Sequence, residues 1–431
     1  MKGGLDILRP LLVEGINLSM MQSLVGIAGL TALAIALSEN RSQISWRVIV
    51  AGLSIQLAVA LLLLKVPAAQ GLFLALDHAV EALAAATRAG TGFVFGYVGG
   101  GPAPWAPVNP SAGFVLAFQA LPMVLLISAL SALLYYWRIL PRIVRAASAL
   151  LERAMGVGGA VGVSASATAF IGMIEAPLLI RPYLAGLSRG ELFLVMTTGM
   201  STIAGTVMVL YATFLAGVIP DPIGHLLTAS LISVPAAIMV GKIMIPDEAR
   251  TGAECLDDAH AYEGAMDAVV KGTLDGVRLL VGIVAMLIVL VALVSLVNTM
   301  LAALPELGAA PLTLQRIMGW LMAPIAWLMG IPAEEMMAAG ALMGTKIVLN
   351  ELLAYLDLAR LPPEVLSLRS RLIMTYGLCG FANLGSLGIL IAGLSVMAPG
   401  RRADIVALGG RSIVSGTLAS CLTAAVAGLL L

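Results

Sequence analysis

Two carboxylates stand inside apolar segments of this chain, far apart in the sequence. Glu175 lies in the run Phe-Ile-Gly-Met-Ile-Glu-Ala-Pro-Leu-Leu-Ile, and Glu351 follows Ile-Val-Leu-Asn. A charged side chain at bilayer depth is costly unless it meets a partner, a cavity or an ion. Gly172 and Pro177 flank the first acid, and both residue types interrupt helices. Two acids at interrupted helices, one in each half, indicate a transporter.

Hydroxyl and amide side chains supply further polar groups in apolar surroundings. Residues 197–206 carry five hydroxyls and two glycines, which suit either a hard cation or close helix packing. Asn383 and Ser386 stand three apart, which on a helix puts an amide and a hydroxyl on one face. Both could also serve as interhelical hydrogen bonds. Structural pairing is likewise an alternative for the acids, Glu175 with Arg181 and Glu351 with Lys346.

The composition is that of a membrane protein. Of the 431 residues, 60% are hydrophobic and only 11% are charged, whereas soluble domains carry about 25% charged residues. A formal net charge of zero argues against nucleic-acid binding through a basic surface. The three cysteines lack paired spacing and the three histidines are scattered, so we expect no disulfide framework or metal cluster. The sequence also has no cofactor motif, so we expect no organic cofactor.

Windows of about 20 apolar residues predict an all-α polytopic protein with about eight transmembrane helices and two re-entrant hairpins. The predicted spans are 20–38, 46–64, 112–136, 191–217, 222–244, 276–303, 370–397 and 406–431. The hairpins are 161–187 and 331–358. The remaining helices are an interfacial one at 71–88, a basic amphipathic one at 137–155 and an apolar one at 311–329, while 245–275 is a polar connection.

The order of helix, broken acidic hairpin, span with a broken middle and span occurs twice. Loops rich in Lys and Arg should be cytoplasmic, so the two hairpins enter from opposite sides as an inverted repeat. We divide the chain accordingly into scaffold helices (1–136), a first transport-domain repeat (137–244), a polar connection with a long scaffold span (245–303) and a second repeat (304–431).

The polar segments resemble the concentrative nucleoside transporter family. The run Glu-Ala-Pro-Leu-Leu-Ile-Arg-Pro-Tyr-Leu from Glu175 is similar to the first-hairpin motif of that family, and Asn-Glu-Leu-Leu-Ala-Tyr from Asn350 to the second. Leu-Cys-Gly-Phe-Ala-Asn from Leu378 resembles its most recognisable block. The resemblance runs from about Phe118 to the C-terminus.

This resemblance implies a homotrimer in the bacterial inner membrane, with a scaffold and a mobile transport domain. It implies elevator-type nucleoside import coupled to sodium or protons. By this resemblance, the ribose hydroxyls would be held by Glu175, Asn383 and Ser386, and Glu351 would assist at the nucleobase. Val207 and Phe381 would pack against the solute. The cation would be held by Thr168, Thr202 and the carbonyls of Ile171 and Ile203.

Three positions, in two places, depart from the family pattern. The family has Gln and Thr or Ser where this chain has Met173 and Ile174, between Gly172 and Glu175. An apolar replacement leaves a polar group on the base unpaired, at roughly 1–3 kcal/mol each, so base selectivity is expected to differ. Thr168 stands where many sodium-coupled members have Asn, which opens proton coupling through an acid.

Three alternatives follow from the same residues. The fold could carry a modified nucleoside or a related solute with proton coupling. Glu175 and Glu351 could be the acid and base of a membrane enzyme, although the sequence offers no nucleophile–histidine pair or cofactor motif. A channel should instead present a continuous polar-lined pore. Cation-coupled nucleoside import is the leading hypothesis, so nucleosides and membrane lipid are the expected partners.

Overall fold

Apolar runs form helices here because a helix satisfies its own backbone hydrogen bonds in lipid. The computed structural model describes residues 5–102, 114–247, 251, 262–305 and 311–431, and every regular segment in these ranges is helical. Seven segments within them are long and apolar enough to cross a membrane: Ser19–Ala36, Trp46–Lys65, Leu116–Tyr136, Arg189–Leu215, Pro222–Met244, Ala265–Leu301 and Pro399–Leu430. The eighth predicted span, 370–397, forms two shorter helices with a break between them.

The N-terminal part contains six helices: α1 (Leu5–Ala36), α2 (Trp46–Lys65), α3 (Pro67–Phe95), α4 (Leu116–Gln119), α5 (Met123–Tyr136) and α6 (Ile139–Met155). Helix α3 is longer at both ends than the helix predicted at 71–88. It begins on a proline in its first turn, which is favourable there, and ends where Gly96 adopts a φ of +61°. Helix α6 buries one face, formed by Leu140, Val144, Ser148, Leu151 and Met155.

The first repeat continues with α7 (Gly159–Ile171), α8 (Glu175–Leu178), α9 (Arg181–Leu184), α10 (Arg189–Ser201), α11 (Gly205–Leu215) and α12 (Pro222–Met244). Helices α7 to α9 form the first hairpin. Helices α10 and α11 are the two halves of the broken span, and three residues, 202–204, separate them. A Ser188–Glu191 capping box starts α10 and fixes where this span begins.

The second repeat follows a long helix, α13 (Ala265–Leu301). It comprises α14 (Leu314–Leu328), α15 (Met336–Val348), α16 (Glu351–Arg360), α17 (Leu368–Leu378), α18 (Leu384–Met397) and α19 (Arg402–Leu430). The predicted polar connection was wrong at its end, because 265–275 is already helical. An Asp267–Lys271 ion pair of 2.8 Å supports that first turn. Residues 248–250 and 252–261 of the connection lie outside the described residues.

Helices α10, α12 and α19 form the buried centre of the molecule, whereas few residues of α13 are buried. Helix α1 packs on α19 and α2 on α12, while α5 pairs with α13. Each hairpin packs against the helix before it, α7 on α6 and α15 on α14. The grouping of residues 1–136 as scaffold stays a prediction. The packing shows that two of those helices contact the centre of the repeats directly.

Candidate functional site

The first hairpin turns at Gly172, where φ is +93° and ψ is 172°. A side chain is strained at that φ, and a Cβ there would lie 2.8 Å from Oε2 of Glu175. The glycine thus lets the chain reverse with the carboxylate packed against its backbone. Glu175 is exposed, and among the described residues neither Arg181 nor any other side chain pairs with it. Its carboxylate is free to accept hydrogen bonds from a solute.

The second hairpin turns at Leu349 and Asn350. The Asn350 side chain accepts a 3.0 Å hydrogen bond from the Leu353 amide, which caps α16. Glu351 is the first residue of that helix, where the helix dipole favours a negative charge. Its buried carboxylate accepts hydrogen bonds from the Tyr211 hydroxyl (2.7 Å) and the Asn383 amide (2.8 Å). Three elements, α11, α16 and the second broken span, therefore meet at one carboxylate.

The break in the second span is residues 379–383, between α17 and α18. Asn383 has an extended backbone and is the N-cap of α18, and its side-chain oxygen accepts a 2.7 Å hydrogen bond from the Ser386 amide. The sequence predicted these two residues on one helical face. The structure brings them together through the cap instead, because the helix starts only after Asn383. Both are buried, and Phe381 is half-buried beside them.

The break in the first span contacts the tip of the first hairpin. A Cβ on Gly205 would lie 2.7 Å from the Phe170 carbonyl oxygen, and one on Gly172 would lie 3.0 Å from the Ala204 Cβ. The residues predicted to hold a cation, Thr168, Ile171, Thr202 and Ile203, belong to these two contacting segments. Val207 is buried in the first turn of α11.

The oxygen atoms of these segments fit a hard cation. Thr168 and Thr202 are fully buried, and their hydroxyls donate to carbonyls of their own helices, of Ala165 at 2.7 Å and Thr198 at 3.0 Å. Because the protons are directed there, oxygen lone pairs remain for a ligand. Thr197 has another role, since its hydroxyl lies 2.8 Å from that of Ser415 on α19 and joins two helices.

The two breaks lie against each other. Gly380 adopts a φ of +154°, and a Cβ there would approach the carbonyl oxygens of Met200 and Ser201 to 3.0 Å. A glycine is needed because the backbone of one break passes so close to that of the other. The crossing puts polar groups from both repeats near the middle of the molecule, which is where broken-helix transporters bind solute.

The tip of the first hairpin has apolar side chains at the two positions where the resembled family has polar ones. Met173 is buried with its Cβ 3.0 Å from where a Cβ of Gly199 would lie. Ile174 packs on α18, where a Cβ at Gly393 would be 2.5 Å from its Cδ1. These residues fill space that two glycines leave open. They join the hairpin to both broken spans through van der Waals contact.

Tyr211 contacts the candidate site and was not among the residues predicted from the sequence. It is fully buried, donates to Glu351, and its ring lies 4.9 Å from that of Tyr355. The only signal in the sequence is a phenol within the apolar helix α11, since a buried tyrosine hydroxyl needs a partner. The identity of that partner, 140 positions away, is not encoded locally.

Comparisons with known proteins decide the family. Models of the Na+ dependent nucleoside transporter N-terminus and C-terminus match residues 25–98 and 225–428, and a nucleoside recognition model matches 117–217. The nucleoside permease NupC of Helicobacter pylori is 33% identical, with 95% of this chain and 98% of the permease covered. An uncharacterized transporter of Haemophilus influenzae is 37% identical over 96% of this chain and 98% of that protein.

This chain belongs to the concentrative nucleoside transporter family.

Solved structures of this family share the fold. CNTnw in an inward-facing substrate-bound state superposes with a TM-score of 0.87 at 34% identity, covering 95% of this chain and 97% of that one. An outward-facing variant of CNTnw gives a TM-score of 0.85 at the same identity and coverage. Human solute carrier family 28 member 3 is 32% identical over 95% of this chain and 60% of its own length.

Family membership and the apolar helices confirm the predicted fold class. The protein is an all-α, multi-pass protein of the bacterial inner membrane with the concentrative nucleoside transporter fold. The two broken spans and the two hairpins carry the polar side chains of the candidate site. Its family and its structural neighbours are transporters.

Proposed function

We propose that this protein imports nucleosides across the cytoplasmic membrane by symport with a cation. The observation that carries the proposal is the cluster of Glu351, Asn383 and Ser386 where the broken spans cross. It combines a carboxylate, an amide and a hydroxyl, the groups that hydrogen-bond the vicinal hydroxyls of a ribose. Membership in the nucleoside transporter family supports the choice of solute.

Glu351 acts at the sugar together with Asn383 and Ser386. The resemblance alone placed Glu351 on the nucleobase side, but its 2.8 Å hydrogen bond to Asn383 supports one shared subsite. Glu175 supplies a second carboxylate from the opposite hairpin and hydrogen-bonds the same solute. Val207 and Phe381 give apolar contact. Met173 and Ile174 make the base end of the site less polar than the family pattern, which favours apolar contact over specific hydrogen bonds there.

The coupling cation binds between the first hairpin and the first break. Thr168 and Thr202 offer hydroxyl oxygens, and the carbonyls of Ile171 and Ile203 complete the set. Sodium suits such an all-oxygen site. Proton symport through Glu175 or Glu351 is the second candidate, which is favoured because the exposed Glu175 carboxylate has no side-chain partner among the described residues.

Transport proceeds by an elevator motion within a homotrimer. The relative CNTnw and its variants, solved in inward-facing, intermediate and outward-facing states, support a moving domain. The exposed apolar face of α13, which includes Val281, Ile288 and Leu296, needs cover from lipid or from other copies of the chain.

Calorimetric binding to the purified protein tests the solute class. Uridine and adenosine should bind, whereas the free bases and 2′,3′-dideoxyuridine, which lacks the vicinal hydroxyl pair, should bind much more weakly. Sodium in place of choline should tighten binding if sodium is the coupling ion, and acidification should do so if it is the proton. Glu175→Gln should weaken nucleoside binding without lowering the melting temperature. Absence of binding by every nucleoside would refute the proposal.

A further inference from the structure

Lys346 is a fully buried cation outside the groups that the proposed mechanism uses. It lies in α15, on the second hairpin, five residues before Glu351. Its ammonium donates to the carbonyl oxygen of Gly377 at 2.8 Å and to the hydroxyl of Ser420 at 3.0 Å. The alternative pairing of Lys346 with Glu351 is not formed among the described residues, so uncharged oxygens solvate this charge. A buried ammonium is costly, which indicates a specific role.

The carbonyl that Lys346 binds belongs to the second break. Helix α17 ends at Leu378, so the Gly377 carbonyl has no amide four residues on within the helix. The neighbouring Thr375 carbonyl accepts a 2.8 Å hydrogen bond from Tyr355, on the same hairpin as Lys346. The second hairpin therefore satisfies the open end of α17 with two of its own side chains.

The first repeat is built differently at the matching place. Lys346 is the third residue from the end of α15. The residue at the same position of α7 is Ala169. The carbonyls of residues 199–201, at the open end of α10, accept no hydrogen bond from the described residues. In the described part of the chain, the end of α10 therefore lacks the side-chain donors that Lys346 and Tyr355 supply to the end of α17.

We propose that the Lys346 ammonium is a tethered cation that occupies, in the second repeat, the place of the coupling cation in the first. It is a positioning residue: by holding Gly377 it fixes the start of the 379–383 break and so keeps Asn383 in reach of Glu351. This inference rests on the proposed function and adds to it that only the first break takes up a free cation. Ser420 anchors the same ammonium to α19.

Two substitutions separate a charge role from a packing role. Lys346→Ala removes the ammonium and leaves space, whereas Lys346→Met removes the charge but fills the space. Both should weaken uridine binding at least tenfold in calorimetry. Methylammonium at millimolar concentration should restore binding to Lys346→Ala and not to Lys346→Met, because only the former can admit the ion.

Lys242 provides the matched control. It also places an ammonium on backbone carbonyls, those of Met155 and Gly156, but at the end of α6. Lys242→Ala should lower the melting temperature without any response of uridine affinity to methylammonium. The inference is overturned if both Lys346 variants bind uridine like the wild type, or if folded Lys346→Ala is not rescued.

The wild-type protein gives a test that does not depend on the variants folding. Its uridine affinity should rise with cation concentration along a single hyperbola with a Hill coefficient of about 1, since one break is already filled. A coefficient of about 2 would contradict the inference. Failure of the wild type to bind any nucleoside would refute the proposed function instead.

Discussion

The side-chain amide of Asn383 donates a 2.8 Å hydrogen bond to the carboxylate of Glu351, which joins the second broken span to the tip of the second hairpin. The Asn383 side-chain oxygen simultaneously caps α18 through the Ser386 amide. Asn383 thus fixes the start of α18 and also belongs to the proposed sugar subsite. Any change in the position of the break must move the proposed sugar subsite.

Asn383→Asp should weaken nucleoside binding while keeping the helix cap. Aspartate still accepts from the Ser386 amide, but it cannot donate to Glu351 and brings a second negative charge beside it. A buried acceptor left without its donor costs about 1–3 kcal/mol, or roughly 5- to 150-fold in Kd. Calorimetry with uridine measures the change.

Asn350→Asp is the matched control for that substitution. Asn350 caps α16 in the same way, by accepting from the Leu353 amide, and aspartate is equally good in that position. Its effect on Kd should stay within about threefold, well below 1 kcal/mol. Equal losses in the two variants would show that the Asn383 amide has no special role.

Restoring the family pattern at the first hairpin should change base preference. The double substitution Met173→Gln with Ile174→Thr adds hydrogen-bonding groups next to Glu175. We expect the ratio of uridine to adenosine affinity to shift by roughly 5-fold or more, since one hydrogen bond contributes about 1 kcal/mol. Leu178→Gln, at an exposed apolar position of the same hairpin, should leave the ratio unchanged. An unaltered ratio in the double variant would exclude Met173 and Ile174 from base recognition.

Gly380→Ala should destabilise the crossing of the two breaks. Its φ of +154° is strained for alanine, and the new Cβ would meet backbone atoms of Met200 and Ser201 at 3.0 Å. The expected cost is roughly 1–3 kcal/mol, visible as a lower melting temperature. Gly388→Ala, where nothing lies within 4 Å, should be neutral or stabilising within α18. Equal melting temperatures would show that the breaks do not pack as described.

Glu39, which lies between the spans Ser19–Ala36 and Trp46–Lys65, provides a pH-dependent test of its ion pairs. Its carboxylate binds Arg189 and lies 2.6 Å from Arg411, and the hydrogen bond from Arg189 holds the Glu39 pKa below its ordinary 4.5. A lowered carboxyl pKa contributes stability above the ordinary pKa that is lost as pH falls through the lowered one. Glu39→Gln should therefore cost about 1 kcal/mol at neutral pH.

That difference should persist down to about pH 5 and shrink below about pH 4. Melting temperatures of the variant and the wild type at several pH values measure it. Glu81→Gln is the control, because Glu81 and its partner His78 are both about 80% exposed and exposed pairs contribute little. A wild-type advantage that grows on acidification would contradict the assigned sign.

The hairpins could be predicted because their signals are local. Gly172 and Pro177 around Glu175 mark an interruption within a few residues, and the apolar run lengths place most spans. The start of α13 was missed because Asp267, Lys271 and Asp275 are polar by composition. They nevertheless form helix turns through i,i+4 and i,i+3 pairs.

The hydrogen-bond partners of the buried polar side chains could not be predicted, since they depend on how elements distant in the sequence pack together. Tyr211 and Glu351 are 140 positions apart, and Lys346 bonds to Ser420 rather than to its near neighbour Glu351. The cap geometry of Asn383 also depends on where α18 starts, which its spacing from Ser386 does not show. Residue types revealed which groups would be in the site, and tertiary packing determined which of them touch.

Gradient-driven uptake into proteoliposomes tests the central claim most directly. Labelled uridine and adenosine should each accumulate inside above their outside concentration when an inward sodium or proton gradient is imposed, and accumulation should collapse when an ionophore dissipates that gradient. If neither nucleoside accumulates under either gradient, with the protein folded and inserted, cation-coupled nucleoside import is contradicted.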